Sequence, residues 1–208
     1  MSNESHREQR GTPLRVPVID LGCGRQKTPG SFGVDQAPLE NVDLVWNLLD
    51  FPYPFESNSA EQIISQHTLE HFAPDDALRF IAEIYRILKP GGTLLLACPH
   101  AFCPGAMEHP LHKSFWTFRS FDWLSQKHSG SYYVATAFNF EIIQQKASIN
   151  LWSYWDNPPR WKQLVNAALS RIFTFIVRHS RTLPDLFAKM LPLYRVDIVI
   201  TLRKVNDD

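Results

Sequence analysis

The sequence predicts a doubly wound α/β domain with a mostly parallel sheet, and three observations carry that prediction. RVPVIDLGCG, near the N-terminus, is a short apolar run that ends in a glycine turn, the pattern of a buried strand feeding a ligand loop. Strand-like segments alternate with a helical pattern, which builds parallel neighbours through crossovers. TLLLACP at 93–99 is apolar almost without interruption, as a strand buried on both faces has to be.

The elements follow in order. Residues 1–13 are polar and are expected to form a disordered tail, leaving one domain over 14–208. SFGVD at 31–35, VDLVWNLL at 42–49 and EQIIS at 61–65 read as the second, third and fourth strands, the second ending in an acid. Between Asp75 and Leu88, the residues Leu78, Ile81, Ile84, Tyr85 and Leu88 keep helical spacing, with Pro74 in the first turn. Lys89-Pro90-Gly91-Gly92 stops that helix in a tight turn. Residues 100–130 form a long loop feeding a short helix at Phe118–Lys127, and loops after strand ends tend to carry function. FEIIQQKASI at 140–149 is strand-like, about 158–190 is a helical insertion divided near Pro184, and 194–205 is a last strand.

Composition narrows the partners. Lys+Arg and Asp+Glu both number 21 in 208 residues, so no general field attracts nucleic acid, and none is expected as a partner. Cys23, Cys98 and Cys103 show no paired spacing, which points to reduced thiols and a cytoplasmic setting. No stretch has the roughly 18 apolar residues of a membrane span.

The chemistry begins at Asp20-Leu21-Gly22-Cys23-Gly24. At a strand end, glycines let backbone approach a cofactor that a Cβ would exclude. Asp35, ending the next strand, offers a carboxylate to two ribose hydroxyls. A dinucleotide site wants a third glycine to pack its helix and a helix N-terminus facing a pyrophosphate. Lys27 stands at that position, and Gly24 to Ser31 is too short for a full crossover helix. An NAD(P)-dependent oxidoreductase is thereby disfavoured.

IDLGCG, GVD, FPYPFESNSAEQIISQHTLEHF and EIYRILKPGGTLLLACPH, in that order and spacing, resemble the class I (Rossmann-like) methyltransferases that use S-adenosylmethionine (SAM), of the small single-domain type. The resemblance runs from about Val16 to Pro99 and more weakly to Phe121. It implies a seven-stranded sheet with helices on both faces and an antiparallel C-terminal strand. It also implies SAM as cofactor: Asp20, Gly22, Cys23 and Gly24 would hold its methionine and adenosyl parts, Asp35 its ribose, and Asn47 and Leu48 its adenine. Gln66 and His67 would face the methyl group. The family more often has Asp where this chain has Asn47, so adenine would be held less firmly. That substitution is also the one feature that fits a non-catalytic SAM-binding or regulatory subunit. Arg25 and Lys27 are candidates for the SAM carboxylate.

The histidines supply the candidates for catalysis. His67-Thr68-Leu69-Glu70-His71 matches a zinc-protease pattern, but Pro74 leaves little over one turn of helix, so Glu70 and His71 are read as loop supports. His109 and His112 lie in the loop where an acceptor meets the methyl group. An alcohol needs a base to take its proton, and an imidazole suits that task. His112, His109 and His67 are therefore the catalytic candidates, against the alternative that they only shape the loop. Glu108 with His109 and His112 could also hold a metal, but loop spacing alone does not carry that, and no metal is assigned.

Phe102, Phe115, Trp116, Phe118, Phe121 and Trp123 could wall a ring or sugar substrate, with Phe118 and Phe121 favoured as core. No Asn/Asp-Pro-Pro-Tyr signature of N-methylation follows the fourth strand, so the expected acceptor is an oxygen on a small molecule or glycan. Residues 161–178 form an amphipathic helix with Trp161, Leu164, Val165, Ala168, Leu169, Ile172 and Phe175 or Ile176 on one side. That side is expected to pack on its own domain, with a membrane surface or homodimer contact as alternatives.

Overall fold

The computed structural model describes residues 13–125, 139–150, 159–180, 183 and 195–205. The strands are β1 (Val18–Leu21), β2 (Phe32–Asp35), β3 (Leu44–Val45), β4 (Ala60–Gln66), β5 (Leu88–Pro99), β6 (Phe140–Asn150) and β7 (Arg195–Lys204). They make one seven-stranded sheet in the order β3-β2-β1-β4-β5-β7-β6. The first five strands pair in parallel, and β7 runs antiparallel to both β5 and β6. The mostly parallel sheet with an antiparallel C-terminal strand is as expected.

The helices are α1 (Pro74–Ile87), α2 (Pro104–Met107) and α3 (Arg160–His179), with 3-10 turns at Leu69–His71 and Phe118–Leu124. No helix lies between β1 and β2, β2 and β3, or β3 and β4. The first crossover is too short to hold one, as its length had implied. α1 starts on Pro74, carries Asp75 and Asp76 in its first turn and Arg86 in its last, each suited to its end of the helix dipole. Its buried side includes Phe80, Ile81, Ile84 and Ile87, none of them exposed. Buried Lys204 of β7 donates to the carbonyl oxygens of Tyr85 and Leu88 at 2.8 and 3.0 Å, so one cation satisfies two groups where α1 hands over to β5.

Glu83 and Arg86 of α1 fasten the chain that returns from β3 to β4. The Tyr53 amide donates to Glu83 Oε1 at 2.6 Å, and the Arg86 guanidinium donates to the Phe55 carbonyl at 2.9 Å and to Glu83 Oε1 at 2.6 Å. With that stretch pinned, Asn47 and Leu48 stand at the carboxyl end of the sheet.

Helix α3 corrects an expectation. It lies on β6 through its more polar side: Ser170 Oγ accepts from the Ile149 amide at 2.8 Å and Thr174 Oγ1 from the Ala147 amide at 3.2 Å, with Phe173 and Val177 buried alongside. Trp161, Leu164, Ile172 and Phe175 are exposed. The reason is that β6 is an edge strand of the sheet, and hydroxyl side chains satisfy its outward amides at Ala147 and Ile149 where an apolar stripe cannot. The part of the expected helical insertion beyond residue 180 lies, apart from Leu183, outside the described residues, as does the expected tail up to residue 12. No helix among the described residues is long and apolar enough to cross a membrane.

Candidate active site

Strand order reverses between β1 and β4, and an open α/β sheet binds ligands at the carboxyl edge of such a switch. A cavity of about 470 Å³ opens there, formed by Gly22 and Gly24 after β1, Asp35 and Gln36 at β2, Asn47 to Leu49 after β3, and His67, Thr68, His71 and Phe72 after β4. Leu111 and Lys113 from the long loop close its far side.

The glycine loop is shaped for close approach. Gly22 has φ +75°, and a Cβ there would collide with the Thr68 hydroxyl. Gly24 has φ +51°, and a Cβ there would meet nothing within 4 Å because it faces open space. One glycine is therefore dictated by the protein's own packing and the other leaves room for a ligand. Asp35 links the loop to the second strand: its Oδ2 accepts from the Gly24 amide at 2.8 Å and its Oδ1 from the Ala37 amide at 2.9 Å. Each oxygen keeps a lone pair for a hydroxyl.

Three of the expected cofactor residues do not line the cavity. Asp20 is buried and its Oδ2 accepts from the Thr28 amide at 2.8 Å; the carboxylate holds the short loop in place of a missing helix. Cys23 is buried beneath the loop, its thiol pushed up to about 11 by burial and by the charges of Asp20 and Asp35. Gln66 ends β4 exposed, and the cavity begins one residue later. Lys27 pairs with Asp43 at 2.8 Å instead of facing the cavity, and Arg25 is exposed outside it. Asn47 and Leu48 do line it, Asn47 Oδ1 accepting from the Leu49 amide at 3.1 Å.

At the other end, His67 sits at φ +54° directly after β4, a conformation uncommon outside glycine. Its amide donates to the Ala97 carbonyl at 2.8 Å. Its ring lies 3.4 Å from Glu70 Oε1, and Arg195 Nη2 approaches Nδ1 at 2.9 Å. Arg195 in turn donates from Nε to Asp197 Oδ1 at 2.8 Å, so the end of β7 braces the histidine.

The loop from His100 is anchored at both ends. The Ala101 amide donates to the Trp116 carbonyl at 2.7 Å, and the Lys113 and Ser114 amides donate to the Glu70 carbonyl at 2.8 and 3.2 Å. This carries His109 and His112 over the Leu69–His71 turn. The ring of His71 meets those of His109 and His112 edge-on, with centroids at 5.2 and 4.9 Å. Burial holds the His71 imidazole below the ordinary histidine range, Glu70 opposing this and His112 and His109 adding to it.

His71 is the residue that sequence reasoning undervalued. The sequence makes it a loop support; in the structure it lines the cavity and completes a histidine cluster from which Glu108 is absent. Thr68, Phe72 and Lys113 also line the cavity, and the HTLEHF segment at 67–72 holds the first two. The aromatic wall is not at the cavity: Phe118 and Phe121 are core, Trp116 stacks on Phe121 at 5.5 Å, and Phe102, Phe115 and Trp123 are exposed away from it.

Residues 33–96 match the model of the family described as a methyltransferase domain. No curated protein matches the chain. A SAM-dependent methyltransferase from Archaeoglobus fulgidus superposes with a TM-score of 0.54 at 14% identity, covering 96% of this chain and 90% of the other. A chain from the complex between the Haloferax volcanii Trm112 methyltransferase activator and a methyltransferase gives 0.52 at 16% identity, over 96% and 87%. A SAM-dependent methyltransferase from Thermotoga maritima gives 0.51 at 15% identity, over 92% and 83%. At such identities these likenesses establish the fold, a Rossmann-like fold shared with SAM-dependent methyltransferases, and the methyltransferase-domain match spans residues 33–96 of the chain.

Proposed function

We propose that the chain methylates an oxygen of a small molecule or saccharide, and that the cavity holds SAM with its adenosyl end toward Asn47 and Leu48 and its methyl end toward His67. The observation that carries this is the cavity's polarity of residue types. Glycine backbone and the Asp35 carboxylate occupy one end, and histidine with the anchored loop occupies the other. The open space above Gly24 and the acceptor capacity of Asp35 fit a ribose and its neighbours.

Bound SAM supplies an electrophilic methyl group on a sulfonium. Transfer to an acceptor oxygen would form a C–O bond as the C–S bond broke, the electron pair staying on sulfur, and would require the acceptor's proton to leave. His67, His109 and His112 are the groups proposed to receive it. His112 Nδ1 lies 2.7 Å from the Ala106 carbonyl. A carbonyl only accepts, so Nδ1 carries the hydrogen and Nε2 keeps the lone pair.

Calorimetric titration with SAM, S-adenosylhomocysteine and NAD tests the cofactor assignment. Asp35→Ala should weaken SAM-family binding by more than about tenfold, at least ~1.4 kcal/mol; equal affinity in the variant would remove the ribose assignment. For the other end, His112→Ala should lower turnover while SAM affinity stays within about twofold. Unchanged turnover would reduce this histidine to scaffolding.

A further inference from the structure

We propose that His71, His109 and His112 form a binding site for a divalent transition-metal ion of the zinc type at the acceptor end of the cavity. Each residue offers one ring nitrogen, and the three lie within 4.8 Å of one another. Imidazole is the ligand class of zinc, copper, iron and nickel, and three protein ligands with a fourth position open is the arrangement of catalytic rather than structural zinc sites. On bonds of about 2.0–2.1 Å the nitrogens of a tetrahedral site stand about 3.3 Å apart, so loading draws the trio inward. The exposed His109 is the member with freedom to move.

The surroundings favour a cation. His112 has its Nδ1–H committed to the Ala106 carbonyl, and His71 has a backbone hydrogen bond to Leu111. Carbonyl partners of this kind fix the tautomer and aim the other nitrogen at a metal. The buried Glu70 carboxylate beside them has an oxygen, Oε2, with no hydrogen-bond partner among the described residues, and its charge acts on His71. It supplies negative charge to a site whose three ligands are neutral. His109 Nδ1 accepts from the Leu111 amide at 3.3 Å; this long bond is the one that ligation gives up or exchanges with the other tautomer.

His71 lines the cavity, as do Leu111 and Lys113 on either side of His112. The open coordination position therefore faces the acceptor, where a metal would bind the acceptor oxygen and lower its pKa. That role rests on the oxygen acceptor proposed above; the metal site does not. With the ion in place His112 is a ligand, and His67 remains to take the proton.

The test is titration of the untagged, metal-free full chain with Co²⁺, followed by its visible absorption, and with Zn²⁺ by calorimetry, without acceptor present. One equivalent should bind, and His71→Ala, His109→Ala and His112→Ala should each weaken binding by at least about tenfold, while His179→Ala binds as wild type does. SAM affinity, measured on the same samples, should change by less than about twofold in His109→Ala; His109 is exposed, so this variant keeps the test valid if His71→Ala does not fold. Wild type binding no equivalent of either ion, or His109→Ala and His112→Ala binding as tightly as wild type, overturns the site. Metal binding without SAM binding would leave this site standing and remove the cofactor assignment. Lost turnover in His112→Ala with unaltered metal binding would return that residue to the role of base.

Discussion

At the residue scale the two loop glycines separate what the fold requires from what the ligand requires. Gly22→Ala adds a methyl group against Thr68 and forces alanine to a φ of +75°. It should cost about 1–3 kcal/mol in stability from the backbone alone, with the collision added, as read from urea midpoints. Gly24→Ala meets no protein atom, so only the backbone cost applies, and its main effect should be weaker SAM binding through the filled space. If Gly24→Ala bound SAM normally, the cofactor would not approach that face. Such a distinction is invisible in GCG as a string. The sequence placed both glycines at the right strand end, but Asp20 and Cys23 looked equally functional there. In the structure the Asp20 carboxylate accepts from the Thr28 amide and Cys23 is buried, so neither lines the cavity.

At the scale of elements, the sheet was readable because its strands are apolar runs punctuated by glycine, proline and acids, and helix α1 because its apolar spacing agrees with its burial. Helix α3 was readable as a helix and misread as a surface. Its apolar stripe is real, yet what anchors it is a pair of hydroxyls on β6 amides, and side-chain hydrogen bonds to a particular strand leave no periodic trace. The consequence is measurable. Phe173→Ala, on the buried side, should cost about 3–5 kcal/mol, whereas Ile172→Ala, exposed by 57%, should change stability by no more than about 0.5 kcal/mol. A larger loss at Ile172 than at Phe173 would mean that the helix packs by the face its sequence first indicated. The histidine cluster shows the same limit in the long loop. His71 stands 38 residues before His109, and what unites them is the pairing of the Lys113 and Ser114 amides with the Glu70 carbonyl, a tertiary contact no spacing announces.

At the scale of the whole molecule, three buried thiols make stability depend on pH in one direction. Cys23 is held up at about 11 by burial first and then by Asp20 and Asp35; burial likewise raises Cys98, with Glu70 and Asp197 adding to it, and Cys103. The unfolded chain releases these protons near the ordinary value of 9.0, while the native chain retains them. Below about pH 9 both states hold the protons and the native state keeps its full advantage; above it the unfolded state binds fewer protons, so stability falls as pH rises toward and through the folded values. Buried Tyr53, raised by burial and by Glu83, extends the decline to higher pH. The urea midpoint should therefore be lower at about pH 10 than at about pH 8. The difference between the two midpoints should shrink in Cys23→Ala and in Cys98→Ala, whatever each substitution costs at the lower pH, because the cavity term cancels when one variant is compared with itself. Equal midpoints at the two pH values in the wild-type chain would contradict the burial of these thiols, and with it the packing of the Cys23 loop beneath the cavity.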